Sequence, residues 1–599
     1  MEVNKEEQTT NDIKFYFDNM RAENFSDGRY GISYKDIMKN SQKIDLAYYK
    51  VMDNESLETE SYFNLVRNPQ GIQEMQEYAD YVAENFDNFV VLGIGGSALG
   101  TRTLFSALTT MDYKKNDKRR NKRPKWFVRD SINPEKFACL LSSIDVSKTM
   151  FCVITKSGGT LETLVQLTIV IEKLKETVGD DYAKNICAIT SNREGKLNKW
   201  AMENNVRTFY FDENVSGRFS VFSPVGLLPA AVVGADIQKI VDGANRMLER
   251  CHSLKFFENP ALYSAALQKI ALDKGHNVSY LMPYSDNLKI VAEWYCQLCA
   301  ESLGKSVNTK GRAKNVGQTP VKALGTVDQH SQMQLCLEGP YDKIVTFIRV
   351  NNHKYDITIP EQHNGLLDDY IYGSTLAKVL NTSQRATEQA LLECNRMNCT
   401  IEIEELNEDT IGQLLMFFMI EISFMGALLE VNTYNQPSVE LIKVNIKNIL
   451  SIEEKAEKTQ TQEQQATQEQ QTTQEEQPAE EVKQEVKQEV QEDAVLSEET
   501  EVVTELVVEP TESTFVADEE AEESAKEFLE SEIQEDKQII MPEVEKIEKV
   551  EEPVFEEEID VQEENNFGFL QEEMEIEEPK EEDLQEIKEE NLQEPTEEK

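Results

Sequence analysis

The stretch "GIGGSALG" (93–100) breaks from an apolar run into a glycine-rich turn, with Ser97 placed to reach whatever lies against it. Gly93, Gly95 and Ala98 have the G-x-G-x-x-A spacing of a dinucleotide-binding turn, and the same backbone can cradle a small phosphorylated or polyhydroxylated molecule. A second loop, "TKSGGTLET" (155–163), follows the strand-like "MFCVI" and leads into a helix. Thr155, Ser157 and Thr160 supply three hydroxyls around Lys156. Gly158 and Gly159 let backbone N–H groups close on an anion, and the helix dipole favours negative charge there. This is not a Walker loop, because Lys-Ser precedes the glycines. Two such loops at successive strand ends favour a sugar phosphate over a dinucleotide. The acid that a dinucleotide site needs is also misplaced: Asp112 comes before a basic loop and Asp130 ends a strand too late.

Three further stretches carry acid, base and charge. Gly217-Arg218 follows "TFYFD", so the guanidinium is either a surface cation or a fixed, permanently charged partner for a developing enolate. In "AEWYCQLCAESLGKS", Glu301 shares a helical face with Trp294 and Leu298, and Gln297 lies one turn earlier. A carboxylate on an apolar stripe is a satisfied core acid or a general base whose pKa burial has raised. His330 stands in the polar patch "GTVDQHSQMQL", and Lys443 lies about two turns into a final helix opened by Pro437. The other four histidines occupy loop-like contexts without metal-ligand spacing, so neither a metal nor a cofactor is expected.

These residues need a frame. From Phe89 onward "FVVLG", "KWFVR", "TMFCVIT", "NICAIT" and "TFYFD" alternate with amphipathic helical segments. Continuous apolar strands of this kind imply a parallel sheet covered on both faces. A second series begins near "NVSYLMPY" and includes "DKIVTFIRV" and "CTIEIEE". The class predicted is α/β, as two αβα sandwich domains with parallel-rich sheets, over 85–240 and 241–452. A helical segment over 1–84 packs on them, and a disordered acidic tail over 453–599 follows. The loops described above all fall at the carboxyl ends of strands, where ligands bind in such sheets.

Charge separates the tail from the body. The chain of 599 residues has a net charge of −50; from residue 451 onward there are 54 Asp and Glu against 11 Lys and no Arg, leaving 57 acids against 50 bases before it. The tail, with its near-repeat "EVKQEVKQEV", is too polar to bury a core. It is expected to be a solubilising or partner-binding appendage that contributes nothing to the chemistry, its partner unidentified. All nine cysteines precede it, irregularly spaced and with no secretory signal, which predicts a cytoplasmic protein. Cys296-Gln-Leu-Cys299 falls mid-helix without a second pair. The basic loop Lys114–Lys125 reads as solvated surface on a chain with so acidic a tail, so no nucleic acid is expected. The apolar stretch 411–431 is interrupted by Gln413 and Glu421 and reads as a buried core helix, not a membrane span.

With these pieces together the chain resembles the glucose-6-phosphate isomerase (phosphoglucose isomerase) family. Six motifs stand in that family's order over roughly residues 30 to 450: "GIGGSALG", "TKSGGTLET", "SGRFSVFSPVG", "QLCAESLGK", "DQHSQMQL" and "NQPSVELIK". The resemblance implies two sugar-isomerase domains and reversible aldose–ketose isomerisation of glucose 6-phosphate and fructose 6-phosphate through a cis-enediol(ate), serving glycolysis and gluconeogenesis. It implies that Thr155 to Thr160 hold the phosphate, that Gly96 and Ser97 line the sugar end, and that Gly217 also belongs to the substrate-binding residues. Glu301 would shuttle the proton between C1 and C2, Arg218 would stabilise the enediolate, and His330, assisted by Lys443, would open the ring. Gln297 and Gln436 would position the substrate, and Glu162 would support this shell. A homodimer is implied, with His330 acting across the subunit interface as one arrangement. "SGG" replaces the Thr-rich loop of many members, and nothing in the family pattern accounts for the tail. The alternatives to weigh are an enzyme that also converts mannose 6-phosphate and a non-catalytic sugar-phosphate sensor.

Overall fold

Two parallel-rich sheets organise the chain. The structure, a computed structural model, describes residues 12–53, 56–110, 112–191, 193–362, 365–454 and 458; the acidic tail beyond them, expected to be disordered, lies outside the described residues. Near the start, Lys14–Tyr16 forms β1. The first sheet is built from Asn88–Leu92 (β2), Lys125–Arg129 (β3), Thr149–Ile154 (β4), Ile186–Thr190 (β5) and Arg207–Tyr210 (β6). They lie in the order β3-β2-β4-β5-β6, and every pairing is parallel. Side chains alternate between two cores along each strand: Phe89, Val91, Met150 and Cys152 enter one, while Val90, Leu92, Phe151 and Val153 enter the other. That is why these strands are apolar throughout instead of alternating.

The second sheet contains Val278–Pro283 (β7), Thr319–Lys322 (β10), Lys343–Asn352 (β11) and Asn398–Glu405 (β12), in the order β1-β12-β11-β7-β10. Only β1 runs antiparallel to its neighbour within it. Lys305–Val307 (β8) and Ala313–Val316 (β9) form a separate antiparallel pair. Pattern reading misses β1 and β10, for physical reasons. Three residues are too few to show a period, and Pro320 argues against a strand, yet β10 is an edge where a missing N–H is tolerated.

The long apolar segment forms the helix Glu408–Leu428, opened by a reciprocal capping box between Asn407 and Thr410. It is long and apolar enough to cross a membrane, but 94% of its most apolar stretch is buried inside the protein. It is the central core helix, packed against Ile237–Cys251 and Pro260–Asp273. Before β2 the chain forms the helices Tyr34–Tyr48, Leu57–Arg67 and Ile72–Asn85 as well as β1.

Candidate active site

The first sheet has its switch point at β2, which pairs with β3 on one side and β4 on the other. A crevice therefore opens beyond the carboxyl ends of β2 and β4. Both glycine loops of the sequence lie there, and each feeds a helix whose first turn lacks a side-chain cap. Gly95 is the N-cap of Gly96–Leu108 and Thr160 that of Leu161–Val178, and neither cap closes on its helix through a side chain. At the first start the Ser97 and Ala98 N–H groups donate back to the Ile94 and Gly95 carbonyls at 3.1 and 3.0 Å, so the uncapped start of Leu161–Val178 is the readier anion site.

Within the second loop the hydroxyls divide their roles. Thr155 Oγ1 and Thr160 Oγ1 bond to each other at 2.7 Å, closing the loop on itself. Ser157 is exposed, its Oγ accepting from the Gly159 N–H at 3.3 Å. A Cβ on Gly159 would meet nothing within 4 Å, so there is room above the loop. The Gly158 carbonyl accepts from Leu197 N–H at 2.9 Å, pinning the loop to the next helix. The ammonium of half-buried Lys156 is held below its ordinary pKa by burial and then by the neighbouring charge of Arg218. The Thr155–Thr160 loop and Arg218 thus share one electrostatic neighbourhood.

Arg218 sits in the short turn Gly217–Phe219 after β6 and is fully buried. Every guanidinium N–H has an acceptor. Nε donates to Ser302 Oγ at 2.8 Å, and Nη1 donates to Glu301 Oε2 at 3.1 Å and to Gln436 Oε1 at 2.7 Å. Nη2 donates to the Thr433 carbonyl at 2.7 Å and the Asn435 carbonyl at 3.2 Å. Burial pulls its pKa down while Glu301 pulls it up, and a guanidinium so placed keeps its charge.

Glu301 lies in the last turn of the helix Lys289–Leu303. The apolar stripe seen in the sequence predicts a carboxylate buried with Trp294 and Leu298. Those two are buried, but Glu301 reaches out of the core, 32% exposed, to Arg218. Its other oxygen, Oε1, accepts from Gln297 Nε2 at 3.0 Å. Gln297 also faces the first glycine loop, with Nε2 3.1 Å from a Cβ built on Gly95. Its buried Oε1 has no hydrogen-bond partner among the described residues. Gly96 and Gly217 meet backbone to backbone, so Gly96, Ser97, Gly217, Arg218, Gln297, Glu301 and Gln436 form one continuous group. Sequence reasoning missed Lys305, whose Nζ donates to the Glu301 carbonyl and, at 2.8 Å, to that of Asn435. The signal was a lysine directly after the glycine that ends the helix carrying Glu301.

Other singled-out residues are not bonded into this group among the described residues. His330 is exposed just after the turn Val327–Gln329, and Lys443 is exposed on the helix over 438–454, bonded to Glu440 at 2.6 Å. No hydrogen bond or ion pair joins either to the Arg218 group among the described residues, and the same holds for Glu162 in the first turn of Leu161–Val178. Asp130, the acid closest to a dinucleotide position, is engaged by Arg102 at 3.0 Å. Burial pushes the Cys296 thiol up to about 11 and raises that of Cys299 too, so neither is a ready thiolate. Among the described residues no group of His, Cys, Asp and Glu could hold a metal ion. A hollow of about 610 Å³ elsewhere, lined by Lys43, Lys269, Lys314 and Leu429, shares no residue with the Arg218 group.

A positioned carboxylate, a buried cation touching it, two amides and an anion cradle can bind a phosphorylated polyol and move a proton on it. The family profile described as "Phosphoglucose isomerase" matches residues 61–470. Over 370 residues the chain is 45% identical to the glucose-6-phosphate isomerase of Carboxydothermus hydrogenoformans, covering 62% of this chain and 80% of that one. It is 35% identical over 432 residues to a probable glucose-6-phosphate isomerase of Methanococcus maripaludis, covering 72% and 92%. Among solved structures, a hypothetical protein from Thermus thermophilus superposes with TM-score 0.66 and 30% identity over 73% of this chain and 100% of that one. A glucose-6-phosphate isomerase from Chlamydia trachomatis shares the fold, with TM-score 0.57 and 23% identity over 68% and 78%.

Proposed function

The chain belongs to the phosphoglucose isomerase family, and on that premise we propose that it interconverts D-glucose 6-phosphate and D-fructose 6-phosphate with Glu301 as the base. The observation that carries the assignment of the base is the grip on its carboxylate. Arg218 holds one oxygen and Gln297 the other, with the side chain still open to the crevice.

The chemistry follows from these positions. The phosphate rests on the Thr155–Thr160 loop and the helix start behind it, with Lys156 adding charge. Gly96, Ser97, Gln297 and Gln436 orient the sugar hydroxyls, the free Gln297 Oε1 accepting one of them. In the open aldose, Glu301 removes the proton on C2. The C–H electron pair becomes the C1–C2 double bond, and negative charge moves to O1. The hydroxyl proton then passes from O2 to O1, and Glu301 returns its proton to C1, leaving the ketose. No proton is gained or lost overall. As Glu301 becomes neutral, the charge it shared with Arg218 reappears on the enediolate. Arg218 therefore acts by a fixed field, since its five N–H groups are already engaged.

Ring opening needs a proton exchanged at the ring oxygen, and we assign that to His330 of a second copy, with Lys443 assisting. Two features support a homodimer. His330 is exposed, and Thr326, four residues before it, lines a hollow of about 410 Å³ with Tyr355, Ile357, Leu376 and Val379. The helix over 438–454 exposes Leu441, Ile442 and Leu450. Contiguous apolar surface of this kind marks interaction sites.

The test is conversion of fructose 6-phosphate to glucose 6-phosphate by the full chain, beside Glu301→Gln. Turnover by the parent is expected, with a loss of ~10²–10⁴-fold in the variant. A folded parent without turnover would overturn the reaction, and equal turnover in both would overturn the base.

A further inference from the structure

The helix that carries Glu301 ends at Gly304, whose N–H donates to the Ala300 carbonyl at 2.9 Å. The next carbonyl, that of Glu301 itself, is one of the acceptors a helix end leaves without a partner. Lys305 folds back to fill it. The same ammonium donates to the Asn435 carbonyl at 2.8 Å, an oxygen that also accepts from Arg218 Nη2 at 3.2 Å. One carbonyl is therefore shared by two cations. The backbone of Lys305 is itself held in β8, opposite Val316 of β9. Asn435 precedes Gln436 and, with Thr433, supplies the carbonyls that hold Arg218 in place. This ammonium thus joins the helix bearing the base to the segment bearing the cation's anchors.

We propose that Lys305 is a positioning residue for the isomerisation: by tying the Glu301 carbonyl to the Asn435 carbonyl it sets the base in register with Arg218 and Gln436. The inference rests on the isomerase reading above. Lys305 touches no substrate atom and acts through the two segments it joins. A cation also suits the negative end of the helix dipole. Burial and then Arg218 push the ammonium down to about 8, with Glu301 acting the other way. Those are the charged groups that act on it; the 433–436 segment presents carbonyls and the Gln436 amide. Loss of the proton leaves a weaker donor at both carbonyls and removes the charge that suits the helix end. Activity is therefore expected to decline as pH rises through about 8, where Lys305 loses its proton.

The test compares the full chain with Lys305→Met and Lys305→Arg in two readouts. In turnover of fructose 6-phosphate, Lys305→Met should lose ~10-fold or more in kcat with a smaller change in KM, as expected of a misplaced base. Lys305→Arg, which keeps the charge and can donate to both carbonyls, should recover most of kcat. It should also move the alkaline fall of the parent upward by at least one pH unit. In amide hydrogen exchange without substrate, peptides covering 300–305 and 432–437 should exchange faster in Lys305→Met and at the parent's rate in Lys305→Arg. Parental exchange in the folded Met variant overturns the proposal whatever the turnover, and so does an alkaline limb that the Arg variant leaves in place. A parent that fails to turn over fructose 6-phosphate strikes the isomerase reading, and the exchange result still decides whether Lys305 couples the two segments.

Discussion

Gly96 and Gly217 are pressed together so closely that a Cβ on Gly96 would stand 2.2 Å from the Gly217 carbonyl carbon and 2.7 Å from the Arg218 amide nitrogen. The first glycine loop and the turn carrying the buried cation are thus set by one backbone contact. Gly96→Ala must push the loops apart, and a shift near 1 Å at such a site costs ~10²-fold in kcat/KM. Its melting temperature should fall as well. Gly159→Ala is the contrast. Nothing lies within 4 Å of its added methyl, so the fold should keep its melting temperature while KM rises because the methyl enters the space proposed for the phosphate. Steady-state kinetics and thermal melts of the two variants check both halves. Equal behaviour of the pair would refute the distinction.

The same contact shows what a sequence can and cannot carry. "GIGGS" and "SGR" announce a tight backbone approach, because glycine is the residue that permits one. That they approach each other is a tertiary fact, with more than a hundred residues between them. The buried strands Asn88–Leu92 and Thr149–Ile154 were legible because both faces are covered and every residue after the first is apolar. Arg218 was legible as a cation at a strand end. Its five engaged donors were not, since two of the acceptors are backbone carbonyls of Thr433 and Asn435, and a carbonyl leaves no mark in a sequence. Helical periodicity put Glu301 on the stripe of Trp294 and Leu298. At the last turn, however, that stripe has run out of core, and the pull of Arg218 decides where the carboxylate goes.

His330 is exposed and shares no hydrogen bond or ion pair with the Glu301 group among the described residues, and the proposed mechanism brings the two together across two copies. Each of His330→Ala and Glu301→Gln should be nearly inactive as a homodimer. In a mixed dimer with one of each, one site receives both substitutions and the other receives neither. Activity should therefore return to about half that of the parent dimer, since a two-fold interface pairs each surface with its counterpart. Co-expression with two affinity tags and purification through both isolates the mixed species for assay. A mixed dimer as inactive as its parents would place His330 and Glu301 of each site on the same chain.

Glu421 gives the fold its own response to pH, away from the chemistry. It lies fully buried in the core helix Glu408–Leu428, accepting from Ser264 Oγ, and its Oε2 has no hydrogen-bond partner among the described residues. Burial raises its carboxyl pKa to about 7, the bond from Ser264 acting weakly against this. In the unfolded chain the ordinary value, 4.5, returns. Between those two values the native state holds a proton that the unfolded state releases, so stability falls as pH rises. The contribution is complete below about pH 4.5 and is lost as pH passes through about 7. At 1.36 kcal/mol per unit it amounts to about 3 kcal/mol. Glu421→Gln cannot ionise and should lack this slope, whatever its absolute stability. Urea unfolding of both proteins at intervals from pH 5 to 8 tests it. The parent should lose stability relative to the variant across that range, and parallel curves would mean that Glu421 is not the group responsible.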